Sequence, residues 1–265
     1  MKTKFILFFL FSIIIFNSCD NYNRLLKSTD YELKYSKAKE YYGNKNYIKA
    51  SQLYEELIPV FKGTDKSEDV YYYYTKSEFN VGDYILSQYH FKNYTRLFPE
   101  GKYVEECYFL NAYCYFLNSP NYKLDQTYTK NAIKEFQSFI DFYPESIRID
   151  TCNALMDKLR GKLERKDFEI IKQYYKLSDW KASIVAIKNY IKEYPASIYS
   201  EELCFLLIDS YYLLAINSIY EKKSERLDES IENYIKFLDL YPKSSYLSRA
   251  ENIYNNCKRL KQNLN

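Results

Sequence analysis

One phrase recurs before four of the six prolines of this 265-residue chain, and it constrains the fold more than any other feature. An aromatic residue stands directly before each proline, a large apolar residue stands five before it, and a small residue stands twelve before it. The prolines are Pro99, Pro144, Pro195 and Pro242. A fifth, divergent copy aligns when Lys62 takes the place of the proline. One supersecondary unit is therefore repeated five times along the chain.

Each copy of the phrase predicts the second helix of a helical hairpin. Apolar residues spaced by three and four lie on one face of a helix, and the small residue lets a neighbouring helix approach closely. Proline ends the helix because it pushes the residue before it out of the α region. The first helices are predicted after the prolines, where residues 102–118 align without a gap within the segment 198–215. These two segments share a tyrosine and an acidic pair, namely Tyr103 with Tyr199 and Glu105-Glu106 with Glu201-Glu202.

The repeats predict an all-α fold, a tetratricopeptide-like helical-hairpin solenoid of about five repeats plus a C-terminal capping helix. Successive prolines are separated by 45, 51 and 47 residues, which exceeds the roughly 34 residues of a minimal tetratricopeptide repeat. We expect the excess to lie in a loop at 118–126, an extra helix at 147–165 and a lengthened hairpin through 217–225. Turn residues at 43–46 and 82–83 predict where two hairpins reverse.

The first nineteen residues have the pattern of a bacterial lipoprotein leader. A short basic start is followed by an apolar run at 5–16, and Asn17-Ser18 then precedes Cys19. The run is too short to span a bilayer but has the length of a signal-peptide core. The sequence around Cys19 resembles a lipobox, whose cysteine is acylated and becomes the first mature residue. We predict a signal peptide at 1–18 and lipidation of Cys19, with an ordinary cleaved signal or an uncleaved anchor as alternatives.

The remaining chain is predicted to contain a lipidated N-terminal linker at 19–29 and one tetratricopeptide-repeat domain at 30–265. With only five glycines and six prolines, the sequence offers no long flexible linker that would divide this domain. Removing Lys2 and Lys4 with the leader leaves 36 basic against 35 acidic residues, a net charge of +1. This balance argues against nucleic acid as a partner, because nucleic-acid binders present a basic face.

Tyrosine is unusually abundant, with 33 residues beside 17 phenylalanines. Most of the tyrosine rings are predicted to pack between helices while their hydroxyl groups remain in contact with water. Four are consecutive: Tyr71, Tyr72, Tyr73 and Tyr74. At about 100° each, four residues sweep roughly 300° around a helix, more than a buried stripe occupies. At least one of them should face water or a partner, so we predict this run as a partner-binding site.

The sequence provides no convincing catalytic set, cofactor motif or metal site, and we expect a protein that is not an enzyme and carries no cofactor. His90 is the only histidine, and it stands where other copies vary, so a solvent-exposed position is predicted. The paired glutamates are interpreted as solvated faces, because helix neighbours point about 100° apart. Five further cysteines form no CxxC or Cys/His pattern and are predicted to be buried and reduced: Cys107, Cys114, Cys152, Cys204 and Cys257.

Several segments resemble one known family. The KSTD sequence at 27–30, NYIKASQLYEEL at 46–57, FKGTDKSE at 61–68 and residues 215–242 are similar to the BamD family. This family comprises the tetratricopeptide lipoproteins of the outer-membrane β-barrel assembly machinery, and the resemblance is greatest to its Bacteroidota form. The resemblance implies a lipid-anchored adaptor on the periplasmic face of the outer membrane, held in the lipid through acylated Cys19. Its implied partners are the periplasmic domains of the barrel insertase and unfolded β-barrel precursors.

Two rival interpretations remain open at the level of the sequence. A tetratricopeptide lipoprotein serving cell-wall synthesis, division or another envelope complex would have the same repeats. An enzyme or a nutrient-binding lipoprotein would need a site that the sequence does not offer. Glycan binders of related helical type are longer and rich in tryptophan, whereas this chain has only Trp180.

Overall fold

The computed structural model describes residues 21–264, and within this range the chain is helical and contains no strand. The helices are α1 (21–27), α2 (Tyr31–Gly43), α3 (Tyr47–Val60), α4 (Ser67–Val81), α5 (Tyr84–Leu97), α6 (Val104–Leu117), α7 (Thr127–Phe142), α8 (Ile149–Lys176), α9 (Trp180–Glu193), α10 (Ser200–Ile216), α11 (Tyr220–Leu240) and α12 (Leu247–Gln262). Neighbouring helices in the chain pack as hairpins. The predicted class, an all-α tetratricopeptide-like helical-hairpin solenoid, is confirmed.

The described chain forms two compact units. Unit 1 consists of the residues up to Pro120 together with Asp125–Leu159, and unit 2 consists of Asn121–Leu124 and the residues from Arg160 onward. The hairpins α2–α3, α4–α5 and α6–α7 belong to unit 1, whereas α9 to α12 belong to unit 2. The division falls inside α8. A single repeat domain at 30–265 stays a prediction.

The prolines end the second helices as the repeated phrase predicts. Helices α5, α7, α9 and α11 each end two residues before their proline. The aromatic residue directly before the proline is the C-cap of the helix. The four caps share nearly one conformation, with φ between −124° and −130° and ψ between 59° and 66°. Proline enforces this geometry because its ring excludes the α region for the preceding residue. The ends of these hairpins therefore follow directly from the sequence.

The apolar positions of the phrase form the cores of the hairpins. The residue five before each proline is at most 3% exposed: Tyr94, Phe139, Tyr190 and Phe237. The small residues allow close contact between helices, since the Oγ atoms of Ser183 and Ser210 lie 3.2 Å apart across α9 and α10. Ser230 of α11 likewise donates to the carbonyl oxygen of Ile208 at 3.0 Å. The small residue and the apolar stripe together set the packing of each pair.

Two elements differ from their predictions. The separate helix predicted at 147–165 is wrong, because α8 runs without interruption from Ile149 to Lys176. No proline occurs in that interval, and Gly161 alone costs a helix only about 1 kcal/mol relative to alanine. The predicted linker at 19–29 contains α1, whose Tyr22 is buried against the first hairpin.

Gly82 provides a test of the predicted turn inside the second hairpin. It caps α4 at φ 100°, and its N–H bonds to the carbonyls of Glu78 and Phe79. We expect Gly82→Ala to lower the free energy of unfolding by about 1–2 kcal/mol, because the left-handed region disfavours a Cβ. Gly43→Ala, in the last turn of α2 and equally open, should be neutral or slightly stabilising. Urea unfolding measures both, and equal effects would contradict the prediction.

Candidate partner-binding surface

The run Tyr71–Tyr74 lies in α4, which is packed between α3 and α5. Tyr71, Tyr72 and Tyr74 are only 5–7% exposed, and Tyr73 is half-buried. No ring of the run is fully open to solvent, because α2, α3 and α5 all contact α4. The expectation that one member faces water or a partner therefore applies to Tyr73 alone. Binding of a partner by this run stays a prediction.

Tyr72 instead joins two successive first helices. Its ring stacks on that of Tyr103, the N-cap of α6, with centroids 3.7 Å apart and planes 9° from parallel. Its hydroxyl donates to Glu106 Oε2 at 2.9 Å, and Lys76 pairs with the same carboxylate. The stack and the ion pair thus connect α4 to α6 across the hairpin boundary.

The same combination of a ring stack and an ion pair between successive first helices recurs in unit 2. Phe168 of α8 stacks on Tyr199 with centroids 4.2 Å apart, and Lys172 Nζ lies 2.8 Å from Glu202 Oε1. A third stack joins the N-cap of α12 to α10, with the rings of Phe205 and Tyr246 4.9 Å apart. The aligned tyrosines of the sequence are therefore repeated packing elements, each seated at the start of a first helix.

The pairs Glu105-Glu106 and Glu201-Glu202 are not free solvated faces, and for these two pairs that prediction is wrong. The second glutamate of each pair is bound to a lysine of the preceding first helix, as described above. The first glutamate accepts a hydrogen bond from the serine two residues after the next proline. Ser146 Oγ donates to Glu105 and Ser244 Oγ donates to Glu201, both at 2.6 Å. Through these ion pairs and hydrogen bonds, the glutamate pairs connect each hairpin to the neighbouring hairpins.

The environment of Glu106 changes the pKa of its carboxyl group. Burial on its own raises this pKa, but the hydrogen bond and charge of Lys76 and the hydroxyl of Tyr72 outweigh burial, so the pKa lies below the ordinary 4.5. The folded protein therefore binds this proton less readily than the unfolded chain does. The resulting stability is complete above the unfolded pKa and is lost as the pH falls through the folded pKa.

We expect Glu106→Gln to lower the free energy of unfolding at pH 7 by about 1 kcal/mol. Below pH ~4.5, the free energy of unfolding of the variant should fall less steeply with decreasing pH than that of the wild type. Glu40→Gln is the matched control, since Glu40 pairs with Lys37 on an exposed surface where such pairs contribute little. Urea unfolding between pH 3 and pH 7 checks both variants. The prediction would be contradicted if Glu106→Gln lost stability at low pH as steeply as the wild type does.

His90 is half-buried, and the prediction of a solvent-exposed position is wrong. Its Nδ1 lies 2.8 Å from the hydroxyl of Tyr71, and its ring meets the edges of Tyr74 and Tyr89 at centroid distances of 5.0 Å. Burial lowers the pKa of the imidazole below its ordinary 6.5. The ring therefore acts as a packing group between α4 and α5. The sequence could not reveal this, because Tyr71 and Tyr74 reach His90 from another helix.

The cysteines after the leader fit their prediction. All five are free thiols; Cys107, Cys114, Cys152 and Cys257 are buried, and Cys204 is partly so. Burial raises the pKa of the Cys114 thiol to about 12 and that of Cys152 to about 11. These thiols therefore behave as small apolar groups at neutral pH.

An aromatic stripe on α6, which the sequence analysis did not single out, is the better candidate for a partner-binding surface. Phe109, Tyr113 and Phe116 are half-buried and follow at intervals of four and three. Successive ring centroids lie 5.8 and 5.6 Å apart, and both ring pairs are 12° from parallel. Arg148 lies over Phe109 at 5.4 Å and Lys158 over Phe116 at 5.6 Å. The spacing of the aromatics was the available signal, but it did not reveal which rings stay open.

The predicted lipidation site, Cys19, lies outside the described residues, as does the predicted signal peptide at 1–18. From residue 21 to residue 264, no helix combines the length and the apolar character needed to cross a bilayer.

Comparison with known proteins gives one family. The family model described as "YfiO: Outer membrane lipoprotein" matches residues 28–227 and 168–263. No curated protein sequence matches the chain. Among solved structures, the TPR2AB domain of yeast Sti1 in a pHSP90 complex is 13% identical with a TM-score of 0.41, over 86% of this chain and 98% of that one. The P58(IPK) TPR domain is 12% identical with a TM-score of 0.42, over 91% of this chain and 68% of that one.

Proposed function

Because this chain belongs to the YfiO family of outer membrane lipoproteins, we propose that it is a non-catalytic scaffold of the outer-membrane β-barrel assembly complex. In this role, acylated Cys19 holds it at the periplasmic face of the outer membrane. The helical hairpins bind the periplasmic domains of the barrel insertase and receive unfolded barrel precursors. The observation that carries the proposal is the family match, which spans residues 28–263 and so includes all the repeated hairpins.

The α6 stripe has the chemistry that an unfolded barrel precursor requires. Such a precursor presents an extended segment with aromatic and apolar side chains on alternate positions. The rings of Phe109, Tyr113 and Phe116 offer stacking contacts, each worth about 0.5–1.5 kcal/mol beyond the buried area. Arg148 and Lys158, which lie over the two end rings, can donate hydrogen bonds to carboxylates of the bound segment. Binding of this kind needs no catalytic group.

We expect Tyr113→Ser to weaken the binding of a precursor peptide about 5- to 10-fold, as the loss of an aromatic anchor costs roughly 1 kcal/mol or more. Tyr89→Ser is the matched control, because Tyr89 of α5 is 62% exposed yet lies outside the stripe. Fluorescence titration with a labelled barrel-strand peptide measures both variants, and circular dichroism verifies that their helicity is retained. Equal losses in the two variants, or none, would reject the stripe as the binding surface.

Affinity purification from solubilised outer membranes tests the proposed complex. Recovery of a large protein with periplasmic repeats and a C-terminal β-barrel is the expected result. Recovery of cell-wall synthesis or division enzymes alone would instead favour a scaffold for another envelope complex. Crosslinking from Tyr73 in the same preparation tests whether the Tyr71–Tyr74 run contacts a partner.

A further inference from the structure

Helix α1 is fastened to the first hairpin by its second residue. The Tyr22 hydroxyl lies 2.8 Å from Gln52 Oε1 and 3.1 Å from the Lys49 carbonyl oxygen. The Tyr22 ring meets the Tyr41 ring edge-on at 5.5 Å, and Lys49 Nζ lies 4.8 Å above it. Tyr22 is 7% exposed. Helix α1 is therefore held against the first hairpin close to the start of the described chain.

These contacts place the start of α1 at one edge of the hairpin. Tyr41 and Lys49 lie close to the turn at 43–46 that joins α2 to α3. The other end of α1 lies beside the start of α2, where Lys34 Nζ donates to the Leu26 carbonyl oxygen at 2.8 Å. Helix α1 thus runs antiparallel to α2, and Asn21 lies at the turn edge.

The covalent chain then limits how far this edge can be from the anchor. Tyr22 stands three positions after Cys19, and three steps of extended chain span at most about 11 Å. We infer that the turn edge of the first hairpin, formed by Asn21 and the turn at 43–46, is the surface by which unit 1 contacts the lipid headgroups. This inference rests on the proposed acylation of Cys19.

The side chains of the turn edge suit a headgroup layer. Asn44, Lys45 and Asn46 are exposed, and the turn carries no carboxylate. Beside it, an open cavity of about 560 Å³ is lined by Asn21, Arg24 and Lys37, among others. Lys37 also pairs with Glu40, so this surface is mildly basic at most. Amide and ammonium groups bind phosphate and ester oxygens without having to enter the hydrocarbon.

Tryptophan fluorescence in vesicles tests the orientation. The full lipidated chain carries Trp180→Phe, and a new tryptophan replaces either Ile48 or Val60, which are 61% and 38% exposed in α3. The two positions are twelve residues apart, or about 18 Å along the helix. In phosphatidylcholine–phosphatidylglycerol vesicles with a headgroup nitroxide, we expect Ile48→Trp to be quenched at least about twofold more than Val60→Trp.

Two controls separate the orientation from the anchor. Ten Gly/Ser residues inserted after Asp20 should leave flotation with the vesicles unchanged but bring the two quenching values together, since the tether no longer limits distance. Equal quenching in the uninserted protein, or a difference that survives the insertion, would overturn the inference while leaving the anchor intact. Failure of the uninserted protein to float would overturn both the inference and the acylation of Cys19.

Discussion

Replacing Phe136 with alanine is expected to lower the free energy of unfolding by about 3–5 kcal/mol, the usual cost of removing a fully buried phenylalanine. Phe136 stands eight before Pro144 in the third copy of the phrase and is 0% exposed. It packs in the core that joins α6, α7 and the start of α8, where its ring lies 6.1 Å from that of Phe109. The loss includes both the transfer of the side chain and the cavity left among helices that cannot collapse fully.

Phe142→Ala provides the matched control on the same helix. Phe142 lies two before Pro144, outside the apolar stripe, and is 65% exposed. The same chemical change there should alter stability by no more than about 0.5 kcal/mol. Urea unfolding monitored by circular dichroism compares the two variants. Similar midpoints for both would show that the repeated phrase does not define the core of this hairpin.

The contrast between Phe136 and Phe142 illustrates why so much of the fold could be predicted. Each second helix carries its own end signal in the X–Pro pair and its own buried face in the three- and four-residue spacing. Both signals act within one helix, so sequence alone suffices to place them. The end of α8 was predicted poorly because the segment 149–176 contains no proline to mark where a helix stops. Only this missing signal indicates that the helix is continuous.

The features that the sequence could not reveal are those that depend on neighbours from other helices. The Tyr71–Tyr74 run sweeps most of a helix circumference, and only the packing of α4 on both sides explains why three of its rings are buried. Glutamate is common at solvated helix positions, yet Lys76 and Tyr72 of the preceding hairpin bind the Glu106 carboxylate. Repetition was the one usable signal, since Tyr199 and Glu202 occupy the same positions two hairpins further along the chain.

The repeated ring stacks also explain how tyrosine-rich helices build a rigid scaffold. Three stacks connect successive first helices, and each uses the tyrosine at the N-cap of the following helix. Aromatic stacking fixes the relative rotation of two helices more tightly than aliphatic contacts do, because ring pairs prefer a few geometries. Within each unit, neighbouring hairpins are therefore held in defined positions. Such rigidity favours binding, since less conformational entropy is lost when a partner docks.

Membrane attachment is expected to depend on a single residue. Acyl chains contribute about 0.8 kcal/mol per buried CH₂, and stable anchoring takes two such chains or one chain plus a second signal. A diacylglycerol thioether with an amide-linked acyl chain at Cys19 exceeds this requirement. Under the proposed function, the anchor provides localisation and the folded hairpins provide binding.

We therefore expect Cys19→Ser to remove the protein from the outer-membrane fraction almost completely, because the substituted chain can be neither acylated nor cleaved as a lipoprotein. Cys204→Ser is the control, since this half-buried thiol lies in α10 and should not affect membrane attachment. Sucrose-gradient fractionation with immunoblotting measures both variants, and mass spectrometry of the wild-type amino terminus identifies the lipid. If Cys19→Ser still fractionated with the outer membrane like the wild type, the hairpins themselves or another segment would have to hold the protein there, and the proposed anchor would be wrong.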